Sequence, residues 1–186
     1  MATRSTIAIM KEDGSIDSIY CHNDGYFSNN GFLLYMYYQD PELIKKMISL
    51  GSMSSLEKSI DPISKTHHFD NRDTDVCVFY HRDRGEDLHI AQADSLDEFI
   101  RIGNYESYIY IYQESKRAWY YLNDDNKLKP LYGAVSAEVK QENQPWKLNE
   151  LQTMREKLKQ DKIKINLAKK LTNTLPEAKS IKQRKI

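Results

Sequence analysis

The hydrophobic pattern of this chain changes period once, and that change limits the folds open to it. Up to about Gly133 the apolar residues form short strand-length runs and compact helical clusters; from Leu151 they recur at sevens, at Leu151, Leu158 and Ile165. Side chains alternate across a strand but return every three or four residues on a helix, so one layer type cannot accommodate both patterns. Charge divides at the same place. Residues 1–134 hold 14 Lys and Arg against 21 Asp and Glu, whereas residues 135–186 hold 13 against 6. The net charge of zero therefore conceals two opposite local fields. The expected organisation is an acidic body over 1–134, a linker over 135–145 and a basic helical tail over 146–186. At 186 residues this is one core-bearing domain with an appendage.

The body reads as α+β: a small, mostly antiparallel sheet with two or three short helices packed on it, followed by the basic helical extension. Ser5–Met10 and Ile16–Cys21 flank Asp13-Gly14, a hairpin turn signal. The polar stretch 21–31 is too irregular for strand or helix. Phe32–Tyr38 reads as a short buried helix. Asp40-Pro41 opens another, with Leu43, Ile44, Met47, Ile48 and Leu50 as its stripe and Gly51 closing it. Residues 52–73 read as loop, Asp75–His81 as a strand, His81–Asp87 as a charged turn and Leu88–Ala91 as the partner strand. Ser95 and Glu98 have capping-box spacing for a short helix. Ser107–Tyr112 and Ala118–Leu122 form an aromatic hairpin, and Leu128–Tyr132 extends it. Tyrosine dominates the aromatic content, with 13 Tyr against 5 Phe and 2 Trp. Such side chains suit half-buried sheets and binding surfaces.

Cys21 and Cys77 lie in strand-like runs without zinc spacing, so reduced, buried thiols in a cytosolic protein are expected. There is no apolar leader and no membrane-length apolar run, which disfavours export and membrane insertion. The His-x-Asp pairs His22/Asp24 and His81/Asp83, with His67-His68-Phe69-Asp70, carry groups that bind metals or move protons. Each also reads as turn chemistry or solvated loop, and no metal or cofactor is expected. Glycine-rich phosphate loops are absent, so nucleotide hydrolysis has no support. In the tail, Lys157, Lys162, Lys164, Lys169 and Lys170 crowd one helix and suit phosphate contact. Lys179–Lys185 reads as a frayed end and Pro176 as a helix stop or kink.

The segments Thr3-Arg4-Ser5, Tyr20-Cys21-His22-Asn23-Asp24-Gly25-Tyr26, Leu50-Gly51-Ser52-Met53-Ser54-Ser55-Leu56 and Arg82-Asp83-Arg84-Gly85-Glu86 occur in that order. Together they resemble a family of small uncharacterised proteins of tailed bacteriophages and prophages, over roughly the first 125 residues. The resemblance implies a bacterial cytoplasmic setting during infection and brings no assigned activity. Asn23 stands where that family carries Trp, and the basic tail lies beyond the shared region. The motif residues Arg4, His22, Asp24, Tyr26, Asp83, Arg84 and Glu86 form the candidate binding set, since recognition sits on loops held by a scaffold. An internal ion-pair network fixing those loops is the competing reading.

Three functions follow in order. The first is a non-enzymatic phage accessory protein that binds a host macromolecule, foremost a protein. The second is nucleic-acid association through the tail lysines. The third is a small metal- or acid–base-dependent hydrolase or nuclease using His22, Asp24 and Glu86. The Leu151–Leu158–Ile165 seam needs burial on the body, a partner or a second copy.

Overall fold

The computed structural model describes residues 2–103 and 106–174, with side chains to residue 168. Pro176 and the basic end 179–185 lie outside the described residues, as do the side chains of Lys169 and Lys170. There are two compact units, the first ending at Leu151 and the second beginning at Gln152.

The first unit is α+β and is built on an eight-stranded sheet. Strands β1 (Ser5–Met10) and β2 (Ile16–Cys21) form the expected hairpin, with Gly14 at φ +91° and the Asp13 carboxylate accepting from the Ser15 N–H. One π-helical turn, Phe27–Gly31, leads into α1 (Phe32–Tyr37), replacing the irregular segment expected there. In α2 (Pro41–Ser49) Asp40 accepts from the Glu42 N–H at 3.1 Å, and Ile44, Met47 and Ile48 are buried. Next come β3 (Met53–Ser55), β4 (Val78–Phe79), α3 (Tyr80–Arg84), β5 (Ala91–Ala93) and α4 (Leu96–Ile102). The chain then forms β6 (Tyr108–Gln113), β7 (Ala118–Leu122), β8 (Leu128–Pro130), α5 (Leu131–Gln141) and α6 (Pro145–Thr174).

The strand order is β4-β3-β2-β1-β6-β7-β8, with β5 also paired to β2. The sheet is mixed rather than mostly antiparallel, because β1 runs parallel to β6 and β2 parallel to β3. Four expectations change. Residues 53–55 are a strand inside the expected loop. The strand expected over 75–81 stops at Phe79, where the Asp83 carboxylate caps the Phe79 N–H at 2.7 Å and starts a helical turn. Its expected partner lies further on, at Ala91–Ala93, and pairs with β2, because β4 is already held by β3. Finally, the stretch 135–145 is mostly α5, whose Leu131, Val135 and Val139 are fully buried, so the body continues through Leu151.

Strand alternation divides the core into two. One face presents Ile7, Ile9, Tyr110, Tyr112 and Trp119 to the π turn, α1, α2 and α5. Gly31 sits so close to Val135 and the Tyr110 ring that an added Cβ would lie 3.0 and 3.3 Å from them. The other face presents Ala8, Ile16 and Ile111, packed with Ala93 of β5 and Phe99 of α4.

Candidate functional site

The N-terminal step and the His-x-Asp-Gly loop, distant in sequence, meet through backbone. The Gly25 N–H donates to the Thr3 carbonyl at 2.7 Å, and a Cβ at Gly25 would lie 2.6 Å from the Arg4 carbonyl carbon. Only glycine permits that approach. Asp24 takes φ +53° and accepts from the Tyr26 hydroxyl at 3.4 Å, which is a turn role. His22 Nδ1 lies 2.7 Å from the Tyr20 hydroxyl, and the rings meet edge to face. Asn30, fully buried and absent from the sequence-based candidates, ties this loop down. Its amide donates to Ser5 Oγ at 3.1 Å and to the Asn23 carbonyl at 3.1 Å. Arg4 is exposed.

The second group is built around Asp83. Its buried carboxylate is bridged by Arg82, with Nη2 at 2.7 Å, and accepts the Phe79 N–H. Arg82 also donates to the carbonyls of Ile60 (2.6 Å) and Cys77 (2.7 Å). Burial pushes the Asp83 carboxyl up, but the Arg82 and Phe79 hydrogen bonds outweigh it and hold the group below its ordinary value. His67, expected to be solvated, has its side chain buried here. The Asp73 N–H donates to its Nδ1 at 3.0 Å, and its Nε2 lies 3.2 Å from Arg82 Nη2 and 3.5 Å from Asp83 Oδ2. Asp73 in turn accepts from Ile63, from Ser64 N–H and from the Ser64 hydroxyl, so it closes the loop 61–73. Arg84 pairs with Glu86 at 3.1 Å and lies over the Phe69 ring.

These polar groups are therefore consumed locally. Among the described residues no hydrogen bond or ion pair joins Arg4, His22, Asp24 or Tyr26 to Asp83, Arg84 or Glu86. Nor do three His, Cys, Asp or Glu side chains gather there in a metal-holding arrangement. Both thiols are free and buried. Burial pushes Cys21 up to about 12 and Cys77 to about 11, so neither is an activated nucleophile. Among the described residues no helix is long and apolar enough to cross a membrane.

Two further features stand out. On the face carrying α4, a cleft of about 390 Å³ opens beside that helix. Thr6, Ser18 and Tyr20 of the sheet form its floor, and Phe99, Ile102, Ile90, His89 and Glu106 also line it. Sequence reading missed it because it is assembled from β1, β2, β5 and α4, with no local motif. The second feature is α6. Its first turns belong to the body: Leu151 is fully buried, Trp146 meets Phe32 edge to face, and Lys147 Nζ donates to the Ser28 carbonyl at 2.6 Å. Burial holds the Lys147 ammonium below its ordinary value. From Gln152 the helix shows a different surface, with Ile163 51% exposed, Ile165 38% and Leu167 55%, among Lys157, Lys162 and Lys164, which are also exposed. Leu158 is half-buried. No family model, curated protein or solved structure matches this chain.

Proposed function

We propose that this chain is a non-catalytic binding protein, acting in the bacterial cytoplasm in the phage or prophage setting its motifs suggest, whose helix from Gln152 docks on an acidic host protein. The observation that carries the reading is the pairing of exposed Ile163 and Leu167, one turn apart, with a large cationic excess. Residues 152–174 hold seven Lys and Arg against Glu156 and Asp161. An amphipathic helix of this kind suits a groove whose floor is apolar and whose rim is acidic, and the charge speeds encounter.

Two other occupants fit less well. A nucleic acid would use the lysines but has no need of exposed isoleucine and leucine on the same helix. A second copy would set like charges together, because the Leu158–Ile165 seam is flanked by Arg155 and Lys162 on one side and by Lys157 and Lys164 on the other. Asp161 also interrupts that seam. The body serves as the scaffold. Its buried carboxylate and imidazole groups hold loops in place.

The test places a photo-crosslinking amino acid at position 167 of the full chain in bacterial cells. A discrete adduct with one acidic protein is expected, resistant to nuclease and lost when Lys157, Lys162 and Lys164 are changed together to Glu. A nuclease-sensitive adduct would assign the helix to nucleic acid, and an adduct of twice the chain's mass would assign it to self-association; either overturns the reading.

A further inference from the structure

We propose that the cleft beside α4 binds a small, uncharged heteroaromatic ligand of nucleobase or nucleoside size. The inference is independent of the tail and begins with the cleft floor. Thr6 and Ser18 are 8% and 5% exposed, and neither hydroxyl has a hydrogen-bond partner among the described residues. Neither is a sealed orphan: the buried unpartnered side-chain atoms are Ser28 Oγ and Gln113 Oε1, and both lie away from the cleft lining. The two hydroxyl-bearing residues thus line an open cavity while lacking an internal partner. Their hydroxyls are therefore available to water or to a ligand that enters the cavity. Neighbouring residues on these strands have found partners, since Ser5 Oγ accepts from Asn30 and the Tyr20 hydroxyl meets His22.

The strand register sets the spacing. Thr6 lies opposite Tyr20 and Ser18 opposite Ala8, so the two hydroxyl-bearing residues are diagonal neighbours on one face. Such positions are about 7 Å apart. A flat ring with polar atoms on two edges spans that distance, and a hydroxyl can donate to one edge atom or accept from another. Phe99, Ile102 and Ile90 supply the apolar walls that a ring requires. The lining contains Glu106 and no Lys or Arg, so a phosphate group would meet a like charge with His89 as the one basic residue among the lining residues. That selects an uncharged ligand over a nucleotide.

The test titrates the four free ribonucleosides and their bases into the full chain, to about 5 mM, while amide and methyl NMR shifts are followed. At least one probe is expected to move the signals of Thr6, Ser18, Ala93 and Phe99. Thr6→Val combined with Ser18→Ala is expected to weaken binding at least tenfold, since each lost hydrogen bond is worth about 1 kcal/mol. Ile102→Arg, at an exposed position on the cleft wall, is expected to abolish binding without touching the floor, which covers the case in which the floor variant does not fold. No shift with any probe, shifts confined to other regions, unchanged affinity in both variants, or tighter binding of the nucleoside 5′-monophosphates in a parallel titration would each overturn the proposal.

Discussion

The two faces of the central sheet are built to different depths. One is covered by a π turn and three helices, and its tyrosines end in named partners: Tyr110 donates to the Gly25 carbonyl at 2.6 Å and Tyr112 to the Gln39 carbonyl at 3.3 Å. The other carries α4, contributed through Leu96 and Phe99, and leaves floor hydroxyls facing a cleft. Ser5 and Thr6, adjacent on one strand, show the difference most directly. Each sends a hydroxyl to an opposite face, and only Ser5 has found an internal partner. The lesson is that stability and recognition need not compete within one small domain when the sheet assigns them to opposite sides.

The strongest way to break this comparison is to truncate one large aromatic on each face. Tyr38 is fully buried on the deep face and donates to the Glu57 carbonyl at 2.6 Å. Tyr38→Ala is expected to cost about 4 kcal/mol. Phe99→Ala should cost about 3 kcal/mol, because the space it leaves merges with an open cleft and no closed cavity remains. Urea denaturation measures both, and a Phe99 variant as costly as the Tyr38 variant would mean the faces are equally sealed.

Acid sharpens the comparison by loosening the sheet edge before either face. The Asp83 carboxyl is held below its ordinary value of 3.8 in the folded chain. Its stabilising effect is therefore complete above that value and is lost as pH falls through the lower folded one. Proteolysis of the 61–73 loop should accelerate below about pH 4 while the Trp119 environment, on the deep face, persists. Asp83→Asn should bring the same cleavage at neutral pH, at a cost of about 2 kcal/mol. Simultaneous loss of both signals would show that the edge and the core unfold together.

The smallest contrast is the pair on β1. Ser5→Ala leaves the Asn30 amide one acceptor short and should cost about 1 kcal/mol. Thr6→Val removes a hydroxyl without an internal partner and should change stability by less than about 0.5 kcal/mol. Equal costs would mean that the Thr6 hydroxyl has a structural role in the free chain.

Local chemistry was readable along the chain. The Asp13-Gly14 hairpin, the Asp40 and Ser95 caps and the aromatic hairpin all form where their residues indicate, with Ser95 Oγ accepting from the Glu98 N–H at 3.2 Å. Long-range partners were not readable. Nothing local in Met53–Ser55 marks a strand, because its neighbours β2 and β4 supply the pairing. Val135 and Val139 looked like part of a polar linker because their burial comes from contacts remote in sequence, such as that between α5 and the π turn at Phe27–Gly31. The candidate loop residues were named by motif, yet their motif could not say that Asp83 is consumed by Arg82 and Phe79, nor that Gly25 rests on the Arg4 backbone.

The parallel pairing of β1 with β6 governs the order in which the molecule can assemble. Ser5 lies beside Tyr108, so the central seam of the sheet joins positions separated by more than half the chain. During synthesis the first hairpin emerges early, with Ile7 and Ile9 awaiting a neighbour that the ribosome has yet to make. Closing so long a loop is slow, and the waiting strand edge is open to wrong pairings in the interval. The seam beside Ile7 and Ile9 is thus closed by a strand made long after them, and the basic helix follows that strand along the chain.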